Sequence, residues 1–190
     1  MSRDISDAVL EGDPYEQAAA LTRRVFPVSL DGKIRICCLI LLSAVGFAPA
    51  IALRRALIRT VEPTAASETP AFVAVGGLGV VLTFLFGLAF VRLRLSVRDR
   101  DLDFESAAHL IRVEDLLMTF AVSTGILLVT VPLFLAVLGA FSPDSVIWLY
   151  ERDVRVYRPS ANPLANTALV SGGGVVFAAV LFVLNVVTRR

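Results

Sequence analysis

The chain has 190 residues, of which 56% are hydrophobic and 18% charged, and its formal net charge is +1. A mean hydropathy of +0.76 and an apolar fraction above the roughly 45–50% of typical soluble domains argue against a water-soluble globular protein. The near-zero net charge and the lack of a compact basic run argue against nucleic acid as a partner.

Charged residues and histidine are absent from four long stretches of the chain, each of at least 18 residues. Roughly 20 residues of α-helix cross a hydrocarbon core of about 30 Å. Because the stretches are apolar on all sides, they favour helices over the alternating strands of a membrane β-barrel. The sequence therefore predicts an all-α integral membrane protein with a four-helix membrane domain at 34–190. Its transmembrane helices are predicted at about 36–53, 71–91, 116–141 and 167–188.

The N-terminal segment, residues 1–33, is rich in charged residues and precedes the first apolar stretch, which argues against a secretory signal peptide. Asp13, Pro14 and Glu16 form a helix-start pattern, with Asp13 as the cap and Glu16 three residues later. This pattern predicts a short helix from Pro14 to about Val25. The helix is moderately amphipathic, so it either lies on the inner leaflet or packs against a second inner helix.

Cys37 and Cys38 are adjacent at the start of the first predicted span. On a helix they point about 100° apart, so they are poorly placed to bridge each other. With one histidine in the chain, they also leave too few ligands for a zinc site. We interpret them as small apolar side chains, with lipid attachment as the functional alternative.

Small residues recur in the second and fourth spans at the spacing that aligns them on one helix face. They are Gly79, Thr83 and Gly87 in the second span, and Gly174, Ala178 and the polar Asn185 in the fourth. Small side chains let two backbones approach closely, so that van der Waals contact joins membrane helices. We predict that these faces pack the four-helix bundle, with a homodimer or partner seam as the alternative.

The segment at 92–115 joins the second and third spans and is predicted to be cytoplasmic. Its first ten residues, from Arg92 to Asp101, alternate polar and apolar side chains. That pattern fits a short strand or, as we favour, the continuation of a membrane helix. His109 lies four residues after Glu105 on one helical face and is interpreted as part of a solvated surface.

Two short segments resemble each other. Residues 15–23 read YEQAAALTR and residues 104–112 read FESAAHLIR, with five of nine positions identical. Each precedes an apolar stretch that contains a proline and then a glycine-rich stretch. The sequence thus predicts two tandem copies of an inner amphipathic helix followed by a transmembrane hairpin. The alternative is that Ala-rich and Gly-rich helices resemble one another by composition.

The long outer loop at 142–166 contains Trp148 and Tyr150. Such side chains favour the headgroup level of a bilayer, so they are predicted to be an interfacial anchor. The alternative is a patch that binds a partner outside the cell.

Twelve of the eighteen basic residues lie in the N-terminal segment, the central segment and the C-terminus. Because basic residues close to the spans are retained in the cytoplasm, the chain is predicted to lie in the cell membrane with both termini cytoplasmic.

The predicted spans contain no ionisable residue, and no spacing in the chain matches a catalytic, phosphate-binding or metal motif. We therefore predict a non-enzymatic multi-pass membrane protein without a cofactor, acting as a scaffold or accessory subunit that binds a membrane or cytoplasmic partner. The alternative is a small transporter or channel that acts as a homo-oligomer and is built from duplicated hairpins.

Overall fold

The computed structural model describes residues 14–22, 24–58, 70–98, 103–142 and 166–189, which are almost entirely helical. The helices are α1 (Pro14–Leu21), α2 (Leu30–Ser43), α3 (Phe47–Ile58), α4 (Ala71–Arg98), α5 (Phe104–Thr124), α6 (Val131–Phe141) and α7 (Thr167–Val187). A 3₁₀ turn joins α2 to α3 and a π-helical turn joins α5 to α6. The result is four long helices, each apolar and long enough to cross a membrane. The predicted all-α class and number of long helices are confirmed.

The inner helix α1 ends at Leu21, earlier than the predicted Val25. The backbone N–H groups of Val25 and Phe26 instead donate to the carboxylate of Asp115. These bonds satisfy donors that a longer helix would have used internally. The linker then reaches Ser29, whose hydroxyl accepts from the N–H of Gly32 and caps α2.

Three of the long helices extend beyond their charge-free stretches. The first begins at Leu30, and α4 continues to Arg98, so the strand alternative for the start of the central segment is wrong. The helix that begins at Phe104 runs without a break into the third apolar stretch. No proline or glycine lies in the extensions at 92–98 and 104–115, so the helical backbone there continues past the end of the apolar pattern. Charged residues therefore lie on the long helices themselves.

The first long helix contacts all three others: α2 packs against α4, α5 and α7, and α3 packs against α6. Their buried side chains form one apolar core, which includes Ile34, Leu41, Phe47, Val80, Phe90, Met118, Val129 and Leu181. The short α1 lies outside this core, on the first half of α5. Ala18 there forms a small cluster with Ala107 and Ile111. Of the two alternatives for the inner helix, packing against the second inner helix is the one observed.

Large apolar side chains also cover the outward faces of the long helices. They include Leu39, Leu85, Leu127, Phe134 and Phe182. An apolar surface of this extent is rare on soluble monomers, and a hydrocarbon solvent would accommodate it.

The first and third long helices are both interrupted near the middle. The 3₁₀ turn spans Ala44–Gly46 in the first, and the π-helical turn spans Gly125–Thr130 in the third. Pro132 follows the π turn and has no N–H to donate, which is a common cause of such a change in helix winding. Beyond the interruptions, α3 and α6 pack against each other.

Candidate functional site

A buried ion pair joins the first and third long helices at one end of the bundle. Lys33 Nζ lies 3.0 Å from Glu114 Oε1, and the two side chains are only 1% and 2% exposed. The hydroxyl of Tyr15 donates to the other carboxylate oxygen of Glu114, at 2.5 Å. One carboxylate of α5 therefore binds both α1 and α2. We call the end of the bundle that carries this pair the charged end.

The next residue of α5, Asp115, binds the segment between α1 and α2. Its carboxylate accepts from the N–H of Val25 at 2.6 Å and of Phe26 at 3.4 Å, and it lies 3.4 Å from Lys33 Nζ. The two consecutive carboxylates thus hold the helix, the linker and the start of α2 on α5. We call Tyr15, Lys33, Glu114 and Asp115 the carboxylate clasp.

A second ionic cluster joins the other helices at the same end. Asp31 pairs with Arg94 at 2.5 Å and with Arg189 at 2.7 Å. Arg94 also donates to the side-chain oxygen of Asn185, at 2.9 Å. The starts and ends of α2, α4 and α7 are therefore fastened together. With the clasp, three carboxylates face three cations.

Pairing decides whether such buried charges are tolerated. An unpaired buried charge costs several kcal/mol, and a counter-charge with further hydrogen bonds offsets that cost. In the clasp the additional donors are the Tyr15 hydroxyl and two backbone N–H groups. Burial, and then the hydrogen bond to Glu114, raise the pKa of Tyr15, so the phenol stays protonated and remains a donor. The arrangement orients and fastens helices.

The predicted small-residue face of α4 lies inside the bundle. A Cβ on Gly79 would meet the backbone of Leu128 at 2.7 Å, and one on Gly87 would overlap the side chain of Leu181. Thr83, between them, is fully buried, and its hydroxyl has no hydrogen-bond partner within the described part of the chain. This face thus contacts the third and fourth long helices.

The predicted residues of the fourth span also face other helices of the same chain. A Cβ on Gly174 would lie 2.5 Å from the carbonyl oxygen of Leu41. The carbonyl of Ala178 accepts from the thiol of Cys38 at 3.7 Å, and Asn185 binds Arg94. Five predicted packing residues therefore take part directly in contacts between helices: Gly79, Gly87, Gly174, Ala178 and Asn185.

Other predicted features lie apart from these contacts. Trp148 and Tyr150 fall outside the described residues, as does nearly all of their loop. His109 is exposed on α5, and Cys37 is buried in the core. Among the described residues there is no group of three or more His, Cys, Asp or Glu that could hold a metal ion.

The carboxylate clasp was not predicted from the sequence, because the limits of the buried helices were taken from the charge-free stretches. Those stretches are uncharged, but the helices extend beyond them and bury ionised side chains at their ends. A usable signal was present, since Lys33 is the single lysine in a chain with 18 basic residues. A solitary lysine just before one apolar stretch, and two acidic residues just before another, could have suggested a pair.

No protein-family model, curated protein or solved structure matches this chain.

Proposed function

We propose that this chain is a non-enzymatic multi-pass protein of the cell membrane that acts as a scaffold or accessory subunit. The proposal that a lipid bilayer surrounds the chain is supported by the outward apolar faces of its four long helices. The described ends of the chain, α1 and Arg189, both lie at the charged end. Together with the excess of basic residues there, this supports cytoplasmic termini.

The observation that carries the scaffold role is the way α1 is held. The carboxylate clasp and the cluster around Ala18 fix one side of α1 on α5. Leu21 and Val25 are left 61% and 72% exposed. A helix that is already ordered loses less conformational entropy on binding than a free segment does. We therefore propose that an exposed apolar surface, formed by Leu21 at the end of α1 and Val25 in the linker that follows, receives a partner protein.

Site-specific photo-crosslinking tests this role. A photo-reactive phenylalanine analogue at Leu21 should crosslink a discrete partner in native membranes, whereas the same analogue at the exposed, polar position His109 should not. Leu21→Ser with Val25→Ser should abolish capture in mild detergent. The matched change Ala20→Ser, at an exposed position of the same helix, should retain it. Purification of the chain alone at every expression level would contradict the proposal.

A second candidate function is supported by the interrupted helices. The first and third long helices change winding near their middle, and the halves beyond pack on each other. Discontinuous helices are a feature of many transporters, so an oligomeric transporter or channel is the alternative. Solute or ion flux into liposomes that contain the purified protein would favour the transporter or channel. Liposomes that stay impermeable, together with capture of a partner protein, would favour the scaffold.

A further inference from the structure

Three arginines lie at the charged end of the bundle, outside both ionic clusters. Arg35 is on α2, Arg92 on α4 and Arg112 on α5, and all three are exposed. None of them forms an ion pair with a residue in the described ranges. The neighbouring carboxylates Asp31, Glu114 and Asp115 are instead turned toward Lys33, Arg94 and Arg189. Acidic groups thus face the interior and these arginines face outward.

Each of these arginines continues the outward apolar face of its own helix. Arg35 lies one turn before Leu39, which is 66% exposed, and Arg112 lies one turn before Leu116, which is 58% exposed. Arg92 follows Leu85, which is 52% exposed, by two turns. Residues three, four or seven apart share a helix face. The three guanidinium groups therefore lie at the charged end, next to the apolar surfaces that would contact lipid chains.

The ion pairs set the three arginines at similar depths. Lys33 is level with Glu114, and Arg94 is level with Asp31. At about 1.5 Å per residue, Arg35 lies about 3 Å nearer the apolar part of the bundle than Lys33, Arg92 lies level with Lys33, and Arg112 lies about 3 Å farther out. Their backbones occupy a band of about 6 Å, comparable with the headgroup layer of one leaflet, roughly 5–7 Å.

We propose that Arg35, Arg92 and Arg112 form a belt that binds the phosphate groups of anionic phospholipids. The inference rests on the membrane insertion in the proposed function. Guanidinium groups bind phosphate oxygens in a two-pronged geometry and stay charged at every physiological pH. The exposed acids nearest to this belt at the start of α5, Glu105 and the N-cap Asp103, lie about 10 Å and about 14 Å farther from the apolar core than Arg112, so they leave the belt positively charged.

Spin-labelled lipids test the belt. The full chain is reconstituted in phosphatidylcholine bilayers, and the relative association of spin-labelled phosphatidylglycerol and phosphatidylcholine is measured. The wild type should prefer phosphatidylglycerol. A basic residue at a membrane surface contributes about fivefold in affinity, so Arg35→Gln, Arg92→Gln and Arg112→Gln together should remove most of that preference. Lysine at the same three positions should retain most of it.

Two further measurements distinguish the possible explanations. Inorganic phosphate at millimolar concentration should not displace the labelled lipid, because the site requires a headgroup held at the bilayer surface. Displacement would indicate a site for free phosphate and would overturn the proposal. Equal association of the two lipids with the wild type, or an unchanged preference in the glutamine variant, would also overturn it. Resistance of the chain to alkaline extraction from the same bilayers reports insertion separately, so failure of the belt is distinguishable from failure of the membrane assignment.

Discussion

Lys33 holds a buried positive charge against Glu114, and its removal leaves that carboxylate without its closest counter-charge. Breaking one partner of a buried pair costs about 3–5 kcal/mol. We therefore expect Lys33→Met to lower the Tm of the detergent-solubilised protein markedly. Arg35, two residues further along the same helix, is exposed and provides the matched control, since Arg35→Met should leave the Tm nearly unchanged.

The double variant Lys33→Met with Glu114→Leu tests whether the unpaired charge of Glu114 causes the lower Tm of Lys33→Met. Replacing both members of a buried pair by apolar side chains is often neutral, so the double variant should recover much of the lost Tm. Recovery should be incomplete because Tyr15 loses its acceptor. A single Lys33→Met variant that melts with the wild type would show that the pair contributes little.

The hydroxyl of Tyr15 can be removed with almost no change of shape. A hydrogen bond to a charged group contributes about 1.5–3 kcal/mol, so Tyr15→Phe should loosen α1 while leaving the long helices intact. Hydrogen exchange should become faster in residues 14–26 and stay unchanged in α4 and α7. If residues 14–26 exchanged no faster in the variant than in the wild type, the apolar cluster alone would hold α1.

The pKa of Tyr15 also predicts how this attachment depends on pH. Its folded-state pKa is raised, first by burial and then by Glu114, above the ordinary value near 10. The stabilisation is therefore complete below about pH 10 and declines only as the pH rises from there through the folded-state value. Ultraviolet titration should show that Tyr15 contributes no phenolate absorbance near pH 10, as measured from the difference between wild type and Tyr15→Phe. A normal titration step at that pH would contradict the buried hydrogen bond.

At the scale of helices, Gly79 brings the backbones of α4 and the π-helical turn together. A Cβ at this position would meet the backbone of Leu128 at 2.7 Å, and a backbone cannot rotate away as a side chain can. We expect Gly79→Ala to destabilise the bundle by about 1–3 kcal/mol. Gly172 on α7 has open space around it, so Gly172→Ala should be neutral or slightly stabilising in the same thermal unfolding assay. Equal effects at the two positions would argue against the close approach.

The existence of the long helices followed from the sequence more directly than their ends did. Uninterrupted apolar stretches can satisfy their backbones only as helices in lipid, so four helices were predictable. The start at Leu30 and the unbroken run from Phe104 into the third apolar stretch were not, whereas the continuation of α4 beyond its apolar stretch was the interpretation that the sequence favoured. These helix limits depend on ion pairs between charged side chains of different helices, such as Lys33 with Glu114. A hydropathy pattern along the chain does not show which side chains will pair.

At the scale of the whole molecule, the charged end and the opposite end should label from different sides of the membrane. In a Cys37→Ala, Cys38→Ala background, Glu105→Cys and Ser142→Cys place single thiols near the two ends of the third long helix. Because the basic residues favour a cytoplasmic charged end, an impermeant maleimide should label residue 142 in intact cells and residue 105 only after permeabilisation. Labelling of residue 105 from outside would reverse the proposed topology.

The sequence by itself determined that the chain is helical, that four of its segments are long and apolar enough to span a bilayer, and that small residues recur on the faces of two of them. These properties depend on composition and period along the chain. The duplication remains a prediction from the repeated segments. Only the tertiary structure decided which helices adjoin, that α1 lies on α5, and that Lys33, Glu114 and Asp115 meet. Such contacts join residues some 80 positions apart, and side chains that distant share a site only after the bundle has formed.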